Sequence, residues 1–167
     1  INEGQAQLIP LYGNDAFVPS TLYALERSFI AELVATQLTD DADKRVYVQS
    51  RAALLSQARA GKMEHDLDHA REGIFFGAEA IDHYISAPGE GYFIKSPKSF
   101  LGASGLRQQS VDFFEDVVSA MMLNVKNRAE QQLQNNITQV VIGRPVNFQG
   151  SNAQESNAQA PTILAAA

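Results

Sequence analysis

Residues 92–105 read YFIKSPKSFLGASG, and this stretch decides how the rest of the chain is read. A short apolar run that alternates like a strand, 92–95, ends on Lys95. Ser96-Pro97 then bends the chain, and Lys98 follows three residues after the first lysine. Proline fixes the backbone at such a bend, and Phe100-Leu101 offers an apolar anchor beside it. A lysine held in that way presents a compact positive charge suited to a phosphate. No glycine stands immediately before either lysine, so the pattern is not a Gly-x-x-x-x-Gly-Lys-Ser/Thr phosphate loop. On spacing alone, a solvated basic patch is the ordinary reading of Lys95 and Lys98.

Outward from this stretch, strand and helix signals are interspersed. Toward the N-terminus, 73–76 is a short apolar strand that Gly77 releases into a helix, with Ala78, Ile81, Tyr84 and Ile85 on one side. The segment 61–72, including His65-Asp66-Leu67-Asp68-His69, is polar and reads as a loop or short helix. Thr39 is placed as the N-cap of a helix with acids in its first turn and Gly61 just beyond its end. Two further strands are expected over 5–11 and 17–24, joined by the turn-rich YGNDA. Toward the C-terminus the spacing predicts a long helix over 107–133. Val111, Phe114, Val118, Met121, Val125, Ala129 and Leu133 recur on one face. Asp112, Glu115 and Asp116 near its start and Lys126 and Arg128 near its end complement the macrodipole. The run ITQVVIG, 137–143, reads as a buried strand, followed by the loop RPVNFQG. The expected class is α/β with a mixed sheet, or α+β. The two SNAQ copies near the end are too short to define a repeat.

Composition narrows the function classes. The chain has 167 residues, 45% hydrophobic and 19% charged, which suits one globular domain with a core. Its net charge of −6 argues against nucleic acid or an anionic membrane as partner. Cysteine is absent, which excludes disulfides and thiolate metal sites and fits a cytoplasmic location. No apolar run approaches the roughly 20 residues of a membrane span. The opening INEG reads as half a hairpin, and SNAQAPTILAAA reads as a helix with no stop signal. The expectation is an excised piece of a larger protein.

Other chemistry is thinner. His65 and His69, four apart, would share a helix face and could hold a metal with Asp66, Asp68 and Glu72. The hydrophilic surroundings favour a solvated segment instead. Ser104, Ser110 and Ser151 have no adjacent base and make no nucleophile. Arg144 and Asn147 flank Pro145 at a strand end, where open sheets place ligands.

Taken together, IFFGAEAIDHYI, KSPKSFLGASG, the long helix with FEDVVSAMML, and ITQVVIGRPVNFQG resemble the ATPase domain of the seventy-kilodalton heat-shock chaperone family, within the actin-like superfamily. The closest likeness is to its YegD-type branch. The resemblance weakens over 25–72. It implies a partial actin-like ATPase domain in one unit. Residues 1–24 would be strands of an incomplete sheet, 25–134 an outer-subdomain-like helical region, and 135–167 a strand and helix of the large subdomain. It implies ATP and Mg2+ as ligands of the parent protein, with client proteins or co-chaperones as partners. Lys98 matches the lysine beside the γ-phosphate and attacking water, and Pro145 matches the proline of the nucleotide switch. Ser99 stands where the family has arginine and Asn147 where it has tyrosine. The family's Asp-x-Gly-Thr hairpin, second phosphate loop and adenosine-binding segment are not among these residues, so the isolated piece is expected to be inactive. The competing reading is a non-catalytic interaction module that uses an apolar helix face or an unpaired strand edge, through which the piece could self-associate.

Overall fold

The computed structural model describes residues 7–15, 17–100 and 106–143, with the side chains of 99 and 100 left aside. Nine elements follow one another: β1 (Thr21–Ala24), α1 (Arg27–Gln37), α2 (Asp41–Ser50), α3 (Ala52–Glu64), β2 (Ile74–Phe76), α4 (Ala78–Ser86), β3 (Tyr92–Lys95), a 3-10 turn (Pro97–Phe100) and α5 (Gln108–Leu133). The fold is mixed α and β, with five helices and one three-stranded sheet among the described residues. The sheet order is β2-β1-β3, and both pairings are antiparallel, so the sheet is not mixed.

The central strand explains the layering. All four residues of β1 are buried, because both of its faces are covered. Alternation sends Leu22 and Ala24 to one side, where they join Ile74, Ile94 and a helical layer of Phe29, Ile30, Leu33, Val34, Val117 and Ala120. Tyr23, on the other side, meets Phe75 and His83, and His83 stacks on Phe75 with ring centroids 3.5 Å apart. Each fully buried large apolar side chain here contributes about 1.5–3 kcal/mol. Helix α4 covers this second face, with Ala80 fully buried. Gly77 opens α4 at φ +64, a left-handed conformation that suits glycine, and its amide donates to the carbonyl of Thr21 at 3.0 Å.

Several expectations from the sequence change. The stretch 17–24 forms a strand only over its last four residues, since β2 and β3 offer partners no further. Residues 7–11 form no strand; the nearest pairing is an isolated bridge between Tyr12 and Asp15. Helix α1 occupies a stretch that carries no clear helix signal in the sequence. It is buried on most of its circumference, through Ser28, Phe29, Ile30, Ala31, Leu33, Val34 and Ala35, and has no side-chain cap. The helix expected after Thr39 is capped instead by Asp40, whose carboxylate accepts from the amides of Ala42 and Asp43. It divides at Arg51 into α2 and α3, and Gly61 lies inside α3 rather than beyond it. Residues 137–143 form no strand. Val141 is 98% exposed, and no described strand pairs with this run. Strand 73–76, helix α4, strand 92–95 and the long helix stand where the periodicity put them, within a residue or two.

Candidate functional site

Lys98 lies on the 3-10 turn that follows β3 and is exposed. The turn is fixed at its base. Ser96 takes φ +51, an uncommon conformation for a residue with a Cβ, and its amide donates to the carbonyl of Ser20 at 2.8 Å. Pro97 is buried, so the bend is anchored on the sheet while Lys98 stays exposed. Lys95, the last residue of β3, pairs with Thr21 and is also exposed. The two lysines are thus set on a stiff edge of the sheet, one on the strand and one on the turn. Pro145, with Arg144 and Asn147, lies outside the described residues, as do Ser104 and Ser151.

The histidine pair does not come together on a helix. Helix α3 ends at Glu64, His65 is its C-cap, and His69 sits in the turns that follow. His65 Nε2 lies 3.6 Å from Glu26 Oε1, and the His69 carbonyl accepts from Lys62 Nζ. Among the described residues no group of three His, Cys, Asp or Glu is placed to hold a metal ion. Lys62, nearly buried against the Phe29 ring, also donates to the Glu72 carbonyl at 2.9 Å. It works as a staple on the 65–73 loop, and burial pulls its pKa below the usual lysine range, against the attraction of Glu32 and Glu72.

The largest concentration of buried charge lies elsewhere. Arg51, at the break between α2 and α3, reaches three carboxylates of α5. Its Nε meets Asp116 Oδ1 at 3.1 Å, one Nη meets Glu115 at 3.0 Å, and the other meets Asp112 at 3.4 Å. The Tyr47 hydroxyl donates to the same Asp116 oxygen at 2.7 Å. Burial lifts the carboxyls of Asp116 and Glu115 above their ordinary range, although Arg51 and, at Asp116, Tyr47 pull them down. The acids that complement the α5 dipole on a reading of sequence therefore serve mainly to anchor a guanidinium from another helix. No local signal marks this: Arg51 and Asp116 are 65 positions apart.

Two surface features complete the candidates. A groove of about 550 Å3 runs along α5, lined by Met121, Met122, Val125, Ala129, Ile137 and Val140. Beside β2, a smaller cleft of about 110 Å3 is lined by Arg71, Glu79, Asn124, Asn127 and Arg128 over an apolar floor that includes Ile74 and Phe76. No described helix is long and apolar enough to cross a membrane. Compared with known proteins, the chain matches no family model, and no solved structure matches it at a significant level.

Proposed function

We propose that this chain is part of an ATP-binding, chaperone-like ATPase of the heat-shock and actin superfamily, in which Lys98 sets its ammonium beside the terminal phosphate. The observation that carries the reading is the mounting of Lys98. It follows a sheet strand on a turn held by the buried Pro97 and the Ser96–Ser20 hydrogen bond, yet remains exposed. The backbone that carries this cation is held in advance, which suits an electrostatic role beside developing negative charge. Bound ATP would supply the phosphoryl group, and a fixed point charge beside it favours transfer. The described residues fit one component of such a site. They offer no carboxylate cluster for Mg2+, and the reading requires phosphate loops and metal ligands from other polypeptide.

The groove on α5 supports the same reading. Val140, Val141 and Ile142 are 71%, 98% and 46% exposed beside it, and so much contiguous apolar surface calls for a cover. A lobe completed by further polypeptide would supply one. The same surface favours a second reading, an interaction module that recruits a partner or another copy of the chain.

Calorimetric titration of ATP–Mg2+ tests the first reading. The 167-residue chain alone is expected to show no micromolar binding, and the longest reading frame that contains it is expected to bind. In that longer protein, Lys98→Ala should lower ATP turnover by about 10²–10³-fold, the usual cost of losing one preorganised electrostatic group. Micromolar binding by the chain alone, or unchanged turnover in the variant, overturns it.

A further inference from the structure

We propose that the cleft between β2 and α5 binds a phosphate-sized oxyanion, held by Arg128 and Arg71. Arg128 is prepared for the task. Its guanidinium lies over the Tyr12 ring, 3.5 Å from the centroid, and its Nε donates to Asn124 Oδ1 at 3.4 Å. Asn124 is itself buried and fixed, because its amide donates to the Tyr12 hydroxyl at 2.9 Å. Stacking and the Asn124 contact together set the plane of the guanidinium and use only one of its three nitrogens. The two terminal nitrogens form a fork that matches two oxygens of a tetrahedral anion.

Arg71 lines the same cleft from the segment leading into β2. No described carboxylate lies within ion-pair reach of either arginine, whereas Arg51 has three. Both arginines line one concavity, so an anion there would meet two cations that no described carboxylate neutralises at ion-pair distance. The volume of about 110 Å3 suits an oxyanion rather than a large ligand. Glu79 is the one carboxylate on the lining and opposes the anion, so it limits affinity. The cleft borders β2, whereas Lys98 follows β3 on the other side of β1, so this site is distinct from the one proposed for the ATP phosphate.

The test uses inorganic phosphate as probe, read by calorimetry and by the thermal midpoint, against chloride at matched ionic strength. Phosphate should bind and raise the midpoint of the wild-type protein. Arg71→Gln and Arg128→Lys should each weaken binding roughly tenfold or more, about the worth of one charge-assisted contact. The lysine variant keeps the charge and most of the packing on Tyr12 while removing the fork. Glu79→Gln should tighten binding. Arg59→Gln, an exposed α3 change of equal charge, should leave it unaltered. The proposal fails if phosphate produces no more effect than chloride, or if Arg59→Gln weakens binding as much as the cleft variants. It fails too if Arg71→Gln and Arg128→Lys bind phosphate as tightly as the wild type.

Discussion

Replacing Arg51 by methionine isolates the energetics of the buried charge cluster. Methionine retains an unbranched apolar stem, so the change removes the guanidinium more than it removes packing. In the wild type that group makes close contacts with Asp116, Glu115 and Asp112 and donates to the Asp112 carbonyl at 3.2 Å. Asp116 is 1% exposed, and without Arg51 its charge retains, among the described residues, the Tyr47 hydroxyl as hydrogen-bond partner and Arg27 as a weaker positive neighbour. Breaking a buried pair from one side costs about 3–5 kcal/mol, mostly through the stranded charge. At about 2–4 °C per kcal/mol for a chain of this size, the thermal midpoint should fall by about 6–20 °C. Urea unfolding followed by circular dichroism gives the free energy directly, with an unchanged slope showing that compactness is preserved. The double variant Arg51→Met with Asp116→Leu should recover much of the loss, because the stranded charge is then gone. A loss below about 1 kcal/mol in the single variant, or a double variant that is further destabilised, would refute the reasoning.

Two further outcomes follow from other sites. The half-buried Glu72 accepts through its carboxylate from the amides of Asp68 and His69, and these bonds hold its pKa below the usual glutamate range. A depressed folded pKa means stability present above the unfolded value and lost as pH falls through the folded one; Glu72→Gln should therefore flatten the acid limb of the stability–pH curve, and an unaltered limb would contradict this. If the groove on α5 recruits a second copy, light scattering should show mass rising with concentration, and Val141→Lys should suppress the rise at a cost within about 0.5 kcal/mol of stability; a constant monomer mass removes self-association and weakens the module reading.

Legibility in the sequence followed the locality of the signal. Helix α4 and strand β3 were readable because Gly77, Gly89 and Gly91 punctuate them and their apolar spacing is regular. Helix α5 was readable because its stripe persists from Val111 to Leu133, about six turns. Helix α1 was not, since an apolar residue on nearly every side leaves no stripe, and Glu26 at its N-cap makes no capping bond. The division at Arg51 carries no glycine or proline; it accompanies a side chain drawn to carboxylates far along the chain. ITQVVIG has strand composition, but a strand also needs a neighbour for its amides, and none of the described strands provides one. Of the candidate site, the stiff bend under Lys98 was legible from Pro97. The stacking of Arg128 on Tyr12 joins residues more than a hundred positions apart and left no pattern to find.

The order of the sheet has a consequence for how the protein is born. Strand β1 is made before both of its neighbours, β2, about fifty residues later, and β3, about twenty beyond that. At ribosomal speeds of about 5–20 residues per second, β1 waits several seconds with both edges open. During that interval α1 emerges directly behind it, carrying the Phe29, Ile30 and Val34 side chains that will cover one face. The helical segment between β1 and β2 can thus shelter a nascent strand from other chains until its partners leave the tunnel.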